Sequence, residues 1–230
     1  MNLKTQIPNA FTLLNLLSGV IGIVWVLHGN VLSGAYFILI SAGLDFFDGF
    51  AARILKVPSE IGKQLDSLAD LVSFGVLPGF ILYQMVSEQS QADWYPYLTL
   101  IVPLLSAYRL AKFNIDTRQS DQFIGLPTPA NALFISTLPY FVIRWHEIGV
   151  WLSSPLVLVV TAWVMAILLV VELPLIALKF KSFSFAKNVF RYFLILVSIG
   201  LVIPFGLAGI PIVILAYIGL SIIENEKQRQ

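Results

Sequence analysis

Asp45-Phe46-Phe47-Asp48-Gly49-Phe50-Ala51-Ala52-Arg53 is followed, eight residues later, by Gly62-Lys63-Gln64-Leu65-Asp66-Ser67-Leu68-Ala69-Asp70. Four carboxylates fall in a stretch bounded on both sides by apolar sequence. Asp45 and Asp48 are three residues apart and Asp66 and Asp70 four apart, so each pair shares one face of a helix. Gly49 and Ala52 lie beside the first pair and Gly62 precedes the second. The link between the two segments is short, which makes their helices antiparallel neighbours. The acidic stripes are therefore expected to meet across one cleft.

The surrounding chain explains why that cleft matters. Of 230 residues, 58% are hydrophobic and 12% charged, and the mean hydropathy is +0.86, the balance of an integral membrane protein. A charged side chain at the centre of a bilayer costs at least ~2.5 kcal/mol, so four aspartates at similar depth imply bound cations. The net charge of +1 gives no sign of a nucleic-acid partner. With no cysteine in the chain, a disulfide framework, a thiolate metal site and a cysteine nucleophile are all excluded. The N-terminal stretch before the first apolar run reads as the start of a retained span.

Apolar runs of membrane-crossing length number about eight. They lie near 9–28, 31–53, 65–87, 95–113, 128–145, 154–178, 190–205 and 208–223. If both termini share one side, 13 of the 14 Lys and Arg residues fall on that side and only Arg144 opposes them. Such asymmetry predicts an all-α, polytopic transmembrane bundle with both termini in the cytoplasm. Residues 1–230 are expected to form a single integral membrane domain, with a catalytic core over about 1–180 and an added C-terminal helical hairpin over about 188–224. Trp94, Tyr95, Tyr97, Trp145 and Trp151 gather at the predicted outer ends, as an interfacial belt does.

Oxygen-only ligation suits a hard divalent ion, Mg²⁺ or Mn²⁺. His28 and His146 map to the opposite side, which argues against zinc. Gly49, Ala52 and Gly62 would let a ligand approach the backbone, and Arg53 is a fixed positive charge where a phosphate can lie. Cations with an arginine beside a groove open to lipid suit cleavage of a phosphoanhydride. The competing structural reading pairs the aspartates with Arg53, Lys56 and Lys63. A third reading, a cation transporter with an acidic pocket, would call for inverted repeats, and the sequence shows no internal repeat.

These residues carry a family resemblance. Asp45-x-x-Asp48-Gly49-x-x-Ala52-Arg53, eight residues, then Gly62-x-x-x-Asp66-x-x-x-Asp70 is similar to the signature of the CDP-alcohol phosphatidyltransferases. The resemblance implies that two divalent cations are held by Asp45, Asp48, Asp66 and Asp70. It implies that Asp70 is also the general base, that Gly49, Ala52, Arg53 and Gly62 cradle the CMP part of the donor, and that the protein is a homodimer.

Three further segments resemble the phosphatidylserine-forming branch of that family found in bacterial and archaeal membranes. They are Ile7–Leu16 with Gly19, Asp66–Gly75 with Pro78, and Tyr108–Asn114 followed by Phe123-x-Gly125-Leu126-Pro127-Thr128-Pro129. The expected reaction uses CDP-diacylglycerol and L-serine and releases CMP, with the site on the cytoplasmic side of the cytoplasmic membrane. Arg109, Lys112 and Asn114 are candidates for binding the acceptor, although Arg109 and Lys112 also fit a purely topological role. The same chemistry with glycerol 3-phosphate or inositol phosphate as acceptor remains open. Asn9, Thr12 and Asn15 form a polar stripe on the first span, suited to bonds between helices or to a ligand. Glu172 is expected in a structural or subunit contact.

Overall fold

The computed structural model describes residues 3–57, 59–116, 123–176 and 188–229. Arg118, Lys179, Lys181 and Lys187 of the charge pattern lie outside these residues. Each apolar run is helical over most of its described length. The elements begin with α1 (Leu3–Leu27), α2 (Ser33–Leu55), α3 (Glu60–Asp70), a π-helical turn (Leu71–Val76) and α4 (Leu77–Ser87). A 3₁₀ helix (Tyr95–Leu100) leads into α5 (Ile101–Ile115), and then come α6 (Thr128–Arg144), α7 (His146–Leu152) and α8 (Pro155–Val170). The chain closes with α9 (Val189–Phe205), a 3₁₀ turn (Gly206–Gly209) and α10 (Ile210–Arg229).

Among the described residues, four helical segments are long and apolar enough to cross a membrane: Gln6–Leu27, Glu60–Ser87, Tyr95–Ile115 and Val189–Lys227. The pair α7 and α8, bent by 76°, makes a fifth if it is counted as one span. The last segment folds back on itself at Gly206–Gly209, since Arg191 near the start of α9 lies 3.7 Å from Glu224 near the end of α10. Large apolar side chains such as Leu17, Trp25, Leu104 and Ile203 point outward, as a lipid-facing surface requires.

The centre of the bundle is the continuous rod of α3, the π-helical turn and α4. Phe74, Leu77, Ile81, Leu82 and Val86 are fully buried there, against Val26, Ile38, Ile135 and Leu158 from other helices. Small residues permit close approach: a Cβ on Gly34 would come within 2.9 Å of the Ile81 side chain, and one on Gly79 within 2.7 Å of Pro103.

The helix expected over 154–178 stops at Val170, and the chain runs extended from Val171. Pro174 removes a helical donor and disfavours helix at the residue before it. A two-residue strand β2 (Pro174–Leu175) instead pairs antiparallel with β1 (Phe123–Ile124), in the register Phe123↔Leu175 and Ile124↔Pro174. Next to this ribbon the amide N–H of Gly125 donates to the Leu173 carbonyl and that of Leu126 to Leu168, so the segment before α6 caps the end of α8.

Candidate active site

The carboxylates converge. One oxygen each from Asp45, Asp48 and Asp66 lies within 4.8 Å of the others, and Asp48 is buried. α2 and α3 reach this arrangement by packing mainly on α1 rather than on each other. A groove is left between them, with Asn9 and Thr12 of α1 in its lining. Asp70, one turn beyond Asp66, stands outside the tight trio at the start of the π-helical turn.

The polar stripe of α1 orients two of the acids. Thr12 Oγ1 donates to Asp48 Oδ2 at 2.8 Å, and Asn15 Nδ2 donates to Asp70 Oδ1 at 3.4 Å. The Asn15 backbone carbonyl accepts from Ser41 at 3.3 Å and from Ser73 at 3.0 Å, which locks α1 to both partners at this level. Spacing alone left Thr12 and Asn15 undecided between packing and binding; their contacts make them supports of the acidic cluster.

The structural alternative, neutralisation by nearby basic side chains, does not hold among the described residues. No Lys or Arg there forms an ion pair with any of the four aspartates. Arg53 Nε donates instead to the Gly49 carbonyl at 3.0 Å, and Lys63 Nζ to the Asn114 carbonyl at 3.0 Å. Crowded carboxylates without a cationic partner are the donor set of a divalent cation, all hard oxygen. The residues present therefore fit the metal ions implied by the sequence.

A groove of about 280 Å³ opens beside the trio and is lined by Asn9, Asp48, Gly49, Ala52, Gly62 and Asp66, among others. A Cβ on Gly49 would meet nothing within 4 Å, so its bare backbone faces open space. At Gly62 a Cβ would come within 2.8 Å of Ser59 Oγ and 3.2 Å of Asn9 Oδ1. Ser59 caps α3, its hydroxyl accepting from the Gly62 amide at 2.9 Å, and thereby fixes the groove's floor. A larger cavity, of about 450 Å³, lies at the other end of the bundle near Gly29, Ser33 and Glu88. Glu88 is the one ionisable residue in its lining.

The three acceptor candidates separate. Arg109 is 8% exposed, donates from Nη1 to Thr128 Oγ1 at 3.3 Å and lies over the Phe113 ring at 5.9 Å. Lys112 turns outward and pairs with Glu172 at 2.9 Å, which gives Glu172 a structural contact. Asn114 Nδ2 donates to Ser67 Oγ at 2.8 Å. Only Arg109 points into the protein.

A helical membrane protein in which Asp45, Asp48 and Asp66 from two helices converge beside a small-residue groove is the class that these observations define. The profile of the CDP-alcohol phosphatidyltransferase family matches residues 5–171, and the chain belongs to that family. It is 36% identical over 138 residues to the CDP-diacylglycerol–serine O-phosphatidyltransferase of Bacillus subtilis, a match covering 58% of this chain and 75% of the relative. The enzymes of that name from Mycobacterium leprae and Methanocaldococcus jannaschii are 32% and 35% identical over 155 and 129 residues. Those matches cover 64% and 56% of this chain and 51% and 58% of the relatives, so the chain spans little more than half of either.

Proposed function

We propose that the chain transfers the phosphatidyl group of CDP-diacylglycerol to the hydroxyl of L-serine, giving phosphatidylserine and CMP. The observation that carries the reaction type is the meeting of the Asp45, Asp48 and Asp66 oxygens within 4.8 Å, free of any basic partner among the described residues. Serine as the acceptor is supported by the activity named for the relatives from Bacillus and Mycobacterium. A phosphorylated acceptor needs several convergent cations, and Arg109 is the one acceptor candidate that turns inward.

Asp70 takes the proton of the serine hydroxyl. The freed oxygen forms a bond to the lipid-linked phosphorus while the bond from that phosphorus to the bridging oxygen breaks, and CMP leaves with the electron pair. Asn15 holds Asp70 in place and Thr12 holds Asp48, so neither carboxylate must reorganise during the step. Asp45, Asp48 and Asp66, joined by Asp70, would hold two Mg²⁺ or Mn²⁺ ions. When bound, these ions supply neutralisation of the diphosphate charge. Gly49, Ala52 and Gly62 leave room for the CMP portion, and Arg53 lies beside it.

The same reading includes eight spans, both termini and the site on the cytoplasmic side of the membrane, and a homodimer. It treats residues 1–230 as one domain whose last hairpin is an addition to the catalytic core. Purified protein given CDP-diacylglycerol, Mn²⁺ and a panel of alcohols, with the lipid product read by mass, tests the acceptor. L-serine should exceed every other alcohol by at least about tenfold in kcat/KM. Preference for glycerol 3-phosphate or an inositol phosphate would overturn the assignment.

A further inference from the structure

Five buried side-chain atoms among the described residues have no hydrogen-bond partner: Asn15 Oδ1, Ser106 Oγ, Arg109 Nε, and both amide atoms of Asn131. Each unpaired buried polar atom costs ~1–3 kcal/mol, so a group of them would be stabilised by a polar guest. These atoms are not scattered. Ser106 and Arg109 are one turn apart on α5, and Thr128 and Asn131 are one turn apart on α6. The Arg109–Thr128 bond ties the two faces together. Ser106 packs on Gly75 of the π-helical turn, and both α5 and α6 pack against that turn. On the other side of the same turn, Asn15 spends its amide on Asp70 and keeps its oxygen unpaired. Among the described residues, Asp70 and Tyr217 lie within electrostatic reach of Arg109.

The chemistry of the guest follows from the donors and acceptors left over. Arg109 offers a cation with a spare N–H to a carboxylate. Asn131, 0% exposed, offers one acceptor and a two-proton donor, and Ser106 adds a hydroxyl. A small zwitterion carrying a carboxylate and an ammonium satisfies all of them, and its hydroxyl would lie toward Asp70. We infer that these buried polar groups receive the α-amino-acid part of the acceptor and that Asn131 is a residue that sets acceptor specificity. The inference rests on the phosphatidyl-transfer reading. It adds a residue that the motif resemblance does not include.

The test compares detergent-purified wild type, Asn131→Leu and Asn131→Ala in CMP release, with L-serine and CDP-diacylglycerol varied in turn, and in thermal unfolding. Both variants should raise the KM for L-serine by at least about tenfold while the KM for CDP-diacylglycerol stays within about twofold. Asn131→Leu, close in size, should unfold at no lower temperature than wild type, because it removes two unpaired polar atoms. A serine KM within about twofold of wild type in either folded variant means that Asn131 does not contact the acceptor, and overturns the inference. Wild type that releases no CMP with L-serine would instead sink the transfer reading itself, whatever the variants do.

Discussion

In the proposed reaction Asp70 carries the most specific role of any single side chain. It stands apart from the Asp45–Asp48–Asp66 trio and is held by Asn15 at the start of the π-helical turn. Asp70→Asn keeps the size and the contact with Asn15 but cannot accept the hydroxyl proton. Its kcat should fall by at least about 10²-fold while the unfolding temperature stays near that of wild type. Near-normal CMP release by the folded variant would remove Asp70 as the base. The four aspartates were legible in the sequence because steps of three and four fix a helix face whatever the tertiary packing. Thr12 and Asn15 were half legible: their stripe was visible, but which acids they touch depends on how α1 seats on α2 and α3. Lys112 and Asn114 share the segment of Arg109 yet point elsewhere, since a helix distributes neighbours around its circumference.

Among the elements, the π-helical turn Leu71–Val76 is what the sequence concealed. An apolar run reads the same whether a turn holds 3.6 residues or more, so nothing in Leu71-Val72-Ser73-Phe74-Gly75-Val76 announced it. Within it Ser73 faces α1 and Gly75 faces Ser106 of α5. The early end of α8 was, by contrast, foreshadowed by Pro174. The ribbon beyond it depends on Gly125, whose φ of +80° suits glycine and whose absent Cβ would sit 2.6 Å from the Leu169 carbonyl oxygen. Gly125→Ala should therefore cost roughly 2 kcal/mol, seen as a lowered unfolding temperature in detergent. An unchanged unfolding temperature would show that the ribbon does not brace α8.

At the scale of the whole molecule, the acidic groove lies at the end of the bundle that holds Pro8 and Gly62, and the Gly29–Ser33 turn lies at the other. The lysine and arginine asymmetry supports the proposal that the first end faces the cytoplasm. Because the chain has no cysteine, single substitutions report sidedness directly. In intact cells Gln89→Cys should react with a membrane-impermeant maleimide, while Lys56→Cys should react only after lysis; the reverse pattern would invert the orientation. The account as a whole depends on the acidic groove being a divalent-cation site that drives phosphatidyl transfer. The most direct measurement is CMP release by purified protein from CDP-diacylglycerol and L-serine after EDTA treatment, followed by titration with Mn²⁺ or Mg²⁺. Turnover should vanish in EDTA and return with either ion, and turnover that persists without added metal would contradict the account.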